Sequence, residues 1–149
     1  MRYLLPRFLE GRVALAVYRK WLQAKAQAHV IRDRKRGQTV TVSGYKQQIH
    51  AAVQASLGHD WYTGEALEWE RISTYDNAKS KAQRSAYKAT MALLPTVDHV
   101  LAEDGTYEFV ICGWRTNDAK NDMSVAEFVE LCRRVVAHHE RLEITAPIC

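Results

Sequence analysis

The sequence predicts an α+β fold: a predominantly helical single domain over residues 1–149, beginning with a long basic helix and containing a β-hairpin followed by a helix. Three observations carry that prediction. No Pro or Gly interrupts the stretch from Arg12 to Arg36, two short β-branched or aromatic runs flank Asp104-Gly105, and Ser124-x-x-Glu127 forms a capping box at the head of an apolar periodic segment. With 47% hydrophobic and 26% charged residues in a chain of 149, the composition is that of one globular core.

In the first helix Val13, Val17, Trp21, Ala24, Ala28 and Ile31 recur every three or four residues, which predicts the stripe that faces the core, and Gly37 stops the helix. Lys25, His29, Arg32 and Arg36 are spaced by four, three and four, so they share another face as a cationic ridge suited to a phosphate backbone. Arg34 and Lys35 add to its charge, although a solvated helix face has the same spacing. A second helix is predicted from Ser43, as N-cap, to Leu57, with Gly58 as its stop. Residues 1–57 thus read as a basic helical arm.

Next, His59 to Trp69 reads as a turn running into an edge strand with Leu67 and Trp69 alternating. The Ala-rich polar segment from Asp76 to Met91 suits either a helix or an ordered loop. Pro95–Val100 and Tyr107–Trp114 form the hairpin, and Asn117–Asn121 a helical turn. The helix capped by Ser124 is expected to carry Phe128, Leu131, Cys132, Val135 and Val136 inward. Residues 58–140 make the core by this reading, and 141–149, broken by Pro147, a peripheral tail.

The net charge of +4 is unevenly spread. Residues 1–50 hold eleven Lys and Arg against Glu10 and Asp33, whereas the remainder holds ten basic and fifteen acidic side chains. A cationic arm on a mildly anionic body suits a polyanionic partner. Cys112, Cys132 and Cys149 fit neither a zinc knuckle nor a disulfide framework, so a reducing cytoplasm is the expected location. Nothing in the sequence reads as a signal peptide or a membrane span, and no membrane association is expected.

The hairpin and the helical turn after it set chemistry-bearing residues close together. Asp98-His99 closes the first strand and Asn117 opens the helical turn. An Asp carboxylate and an Asn carbonyl are hard oxygen donors suited to Mg²⁺, and a neighbouring imidazole can take a proton from water.

These residues carry a resemblance. Thr96-Val97-Asp98-His99-Val100 looks like the first motif of the HNH endonucleases, the ββα-metal or His-Me finger family, and Ile111 to Asp122 resembles its closing motif, with an Asn and a Lys three residues later. Trp61-Tyr62-Thr63-Gly64-Glu65 is similar to the Tyr-Thr-Gly turn that many members place upstream. The likeness covers roughly Asp60 to Val136.

It implies a ββα-metal finger with His99 as general base and Asp98 as metal ligand. Asn117, or Asn121 in a shifted alignment, is the second ligand, and Lys120 lies near the substrate phosphate. The family's middle Asn, which orients the catalytic His, falls at or near Glu108, a departure that leaves a carboxylate to do that work. Mg²⁺ or Mn²⁺ is the implied cofactor. The zinc-binding cysteine pairs of many relatives are missing, so no structural zinc is expected, and aromatic packing by Trp61, Tyr62, Trp69 and Trp114 is expected to hold the finger.

The resemblance implies metal-dependent hydrolysis of DNA phosphodiester bonds, with RNA the less favoured substrate and a protein partner a possible source of targeting. The rival reading is a non-catalytic nucleic-acid-binding protein on a degenerate HNH scaffold, which Glu108 favours. A third is cleavage only within a larger assembly.

Overall fold

The computed structural model describes residues 3–74, 77–102 and 105–145. Asp76, Asp104 and the end of the expected tail, with Pro147 and Cys149, lie outside the described residues. The described elements are α1 (Leu15–Lys35), α2 (Val42–Ser56), α3 (Asn77–Gln83), α4 (Ser85–Thr90), β1 (Pro95–Leu101), β2 (Tyr107–Gly113), α5 (Trp114–Lys120) and α6 (Val125–Thr145), with short 3-10 turns at Arg7–Leu9 and Trp69–Arg71. The chain divides into two compact units, Met1–Ala119 and Lys120–Cys149, where the sequence reading takes a single domain.

Helix α1 ends as Gly37 dictates. Gly37 has φ 84°, its N–H donates to the Arg34 carbonyl, and the Gln38 N–H donates to that of Asp33, a Schellman closure. The predicted stripe holds at its start, where Val13 and Trp21 are buried and Val17 is half-buried, and rotates further along. Tyr18, Trp21, Leu22, Ala26, His29, Val30 and Asp33 are buried, whereas Ala24, Ala28 and Ile31 are exposed. Apolar periodicity could not find this face because two of its members are polar. His29 and Asp33 go inward because partners on other elements satisfy them.

Helix α2 begins two residues earlier than expected. Thr41 is its N-cap, and the side-chain oxygen accepts the Gly44 N–H at 3.1 Å. Leu57 closes it in the left-handed region at φ 49°. Gly58 follows at φ 91°, where a β-carbon would press on the Phe8 ring at 3.1 Å, and its carbonyl accepts the Trp69 indole N–H.

The expected edge strand at 67–71 is instead an isolated bridge, His59 to Ala66, followed by the Trp69–Arg71 turn. Leu67 and Trp69 are both buried, so their alternation did report burial. Among the described residues the sheet is the two-stranded hairpin alone, and this segment joins no ladder.

Strands β1 and β2 pair antiparallel, with Pro95 opposite Gly113, Asp98 opposite Val110, His99 opposite Phe109 and Val100 opposite Glu108. Val97, Phe109 and Ile111 join Tyr18, Leu22, Ile49, Val53 and Trp69 in the core between the hairpin and the first two helices. Burial of such apolar side chains contributes about 1.5–3 kcal/mol each.

In the second unit the Ser124 N–H donates to the Glu127 carboxylate at 2.8 Å, and the Glu127 N–H to the Ser124 hydroxyl oxygen at 3.2 Å, the capping box the sequence predicts. Leu131, Cys132, Val135 and Val136 are exposed rather than inward. Among the described residues of its own unit α6 has no second helix to bury them against. Among the described residues no helix is long and apolar enough to cross a membrane.

Candidate functional site

Neighbouring residues on a strand point to opposite sides, and this alternation separates Asp98 from His99. Both are half-buried, and each side chain meets a different part of the first unit.

Asp98 faces the Asp60–Gly64 turn. Its Oδ2 accepts the Tyr62 hydroxyl at 2.7 Å and its Oδ1 accepts the His99 N–H at 2.8 Å. Burial and this bond push the Tyr62 phenol far up, so it remains a donor. The turn is fixed by Asp60, which is 2% exposed. Asp60 Oδ1 accepts the N–H groups of Tyr62 and Thr63, and Oδ2 accepts the Gly113 N–H at 2.7 Å and the Thr116 hydroxyl at 2.8 Å. One carboxylate thus ties the turn to the end of β2 and the start of α5. Aromatic packing was expected in this role, yet Trp61 is 52% exposed, and Trp69 packs instead with Phe8 and Trp21.

His99 faces the other way, toward α1 and α2. Its ring stacks on Phe109 at 4.3 Å between centroids and meets His29 edge-on at 4.9 Å. His99 Nε2 lies 3.6 Å from Asp33 Oδ2, and Nδ1 lies 3.4 Å from the Arg32 guanidinium. Asp33 is 2% exposed and accepts the Tyr45 hydroxyl at 2.7 Å. Arg32 also donates to His29 Nδ1 at 2.5 Å.

Burial holds the His29 imidazole down at about 3, helped by Arg32, so the ring is neutral near pH 7. Burial lowers His99 as well, with Asp33 pulling it up and Arg32 pushing it down. The Tyr45 hydroxyl rises to about 12 through burial and its bond to Asp33.

The expected residues therefore separate into groups. Glu108 lies opposite Val100 and is exposed, so its side chain leaves the hairpin on the face away from His99, and the carboxylate that meets the imidazole is Asp33. Asn117 is half-buried on the first turn of α5. Lys120, which is buried, and Asn121, at φ 50°, belong to the second unit.

The cationic ridge on α1 is only partly a ridge. Lys25 turns inward and donates to the Thr96 hydroxyl oxygen at 3.0 Å, and burial lowers its amine to about 8. His29 is buried. Arg34 donates twice to the Val40 carbonyl, bracing the connection to α2. Arg32, Lys35 and Arg36 are exposed.

The sequence reading leaves Asp33 and Tyr45 out of the site and gives His29 to phosphate. The only sequence signal was the four-residue spacing of His29 and Asp33 on one helix. No family model, curated protein or solved structure matches the chain.

Proposed function

We propose that the chain is a metal-dependent phosphodiester hydrolase of the HNH type acting on nucleic acid, with DNA as the favoured substrate and His99 as general base. The observation that carries this reading is the setting of His99 between a buried carboxylate and an exposed guanidinium.

With the ring hydrogen on Nε2 facing Asp33, the lone pair lies on Nδ1, where Arg32 now rests. A substrate phosphate attracts the Arg32 guanidinium and uncovers that lone pair, which takes a proton from the attacking water. Asp33 orients the imidazole and stabilises the imidazolium as it forms. Arg36 and Lys35 follow Arg32 along the exposed end of α1 and supply further phosphate contacts.

Asp98 and Asn117 would hold Mg²⁺ or Mn²⁺. Their oxygens suit a hard cation. When bound, the ion supplies charge neutralisation at the phosphate.

The test is nicking of supercoiled plasmid by purified protein with Mg²⁺ or Mn²⁺ and with chelator, beside His99→Ala. Metal-dependent nicking that the variant lacks supports the enzyme. Plasmid binding without nicking under either metal transfers support to the non-catalytic scaffold.

A further inference from the structure

We infer that His29, Asp33 and His99 form a second metal site, selective for a transition ion such as Zn²⁺ or Co²⁺, which competes with the Arg32 guanidinium for the same place. One donor atom from each of the three residues lies within 4.8 Å of the others. His29 and Asp33 are one turn apart on α1 and His99 comes from β1, so two elements that form the core also fix the donor set. Donors bound to Zn²⁺ at roughly 2.0–2.1 Å stand about 3.3 Å apart, so the widest pair closes by up to about 1.5 Å.

Two imidazoles and a carboxylate favour Zn²⁺, Co²⁺ or Ni²⁺ over Mg²⁺, and three protein ligands leave a coordination position open. An outer partner of the kind a metal site needs is already in position, for the Tyr45 hydroxyl bonds Asp33 at 2.7 Å.

Arg32 marks the spot for a cation. Its guanidinium is 2.5 Å from His29 Nδ1, 3.4 Å from His99 Nδ1 and 3.9 Å from Asp33 Oδ1, so a positive charge already lies within 4 Å of each of the three residues. Nearly half of the Arg32 side chain is exposed, which lets it swing into solvent when a divalent ion arrives. The ion also takes the base of the proposed hydrolysis, so Zn²⁺ at this site inhibits nicking. That consequence rests on the proposed function, whereas the binding does not.

The experiment is titration of the chelator-treated full chain with Co²⁺, read by visible ligand-field absorption, followed by displacement with Zn²⁺. One equivalent is expected to bind. His29→Gln weakens it by about tenfold or more, Tyr45→Phe weakens it to a lesser degree, and Asp98→Asn leaves it unchanged. Arg32→Ala, a surface change, tightens it.

The site is overturned by the absence of stoichiometric absorption, by affinity that survives His29→Gln in a folded variant, or by loss of binding in Asp98→Asn. An Arg32→Ala affinity no tighter than that of the parent overturns the role given to Arg32. Co²⁺ binding in a protein that never nicks DNA leaves this site standing and removes only the nuclease.

Discussion

His99 Nε2 stands 3.6 Å from Asp33 Oδ2, a link between residues 66 positions apart that brings a strand imidazole against a helix carboxylate. This carboxylate has the position that the sequence resemblance gives to Glu108. The two candidates make opposite predictions.

If Asp33 orients the base, Asp33→Asn lowers kcat for plasmid nicking by about a hundredfold with KM little changed, and Glu108→Gln has no effect. His99→Ala loses about 10²–10⁴-fold. Steady-state nicking rates of the three variants decide it, and a large loss in Glu108→Gln alone restores the original assignment.

The Asp60 carboxylate accepts four hydrogen bonds, two of them from the Gly113 N–H and the Thr116 hydroxyl. Asp60→Ala removes them all and leaves buried donors without partners, a loss of about 3 kcal/mol or more. Gly113→Ala places a β-carbon 2.8 Å from the Ala92 carbonyl oxygen and 3.2 Å from Asp60 Oδ2, for about 1–3 kcal/mol. Urea denaturation measures both, and an Asp60→Ala midpoint equal to the parent's rules out the staple.

Lys25 changes stability with pH in the direction set by its lowered amine. It titrates near 8 in the fold against 10.5 for an ordinary lysine, so between those values the unfolded chain binds more protons. Burying the cation costs stability below pH 8, and the cost disappears as pH rises through this window. Thermal melts from pH 7 to 10.5 should show the parent gaining on Lys25→Met, and a constant difference contradicts the buried amine.

Nucleic-acid affinity should depend on Lys35 and Arg36 and hardly at all on Lys25, whose amine bonds Thr96. Each lost phosphate contact reduces the slope of log K against log salt by about 0.9 on duplex DNA. Binding isotherms at several salt concentrations compare Lys35→Ala/Arg36→Ala with Lys25→Met. A slope that falls for Lys25→Met and holds for the double variant reverses the assignment.

Sequence alone determined what local chemistry dictates. An uninterrupted run ending at Gly37 specified the long helix, two β-branched runs around a turn specified the hairpin, and Ser124 with Glu127 specified the head of α6, because caps, turns and strand propensity act over a few residues. Tertiary structure decided which face of α1 is buried. His29 and Asp33 are buried only because Tyr45 and His99 meet them from elements distant in sequence, and no periodicity of apolar residues encodes that. The same non-local packing sends Lys25 inward, gives Asp60 its partners at Gly113 and Thr116, and sets Asp33 rather than Glu108 beside His99. A polar side chain can be buried where folding supplies its partner, and only the assembled chain identifies that partner.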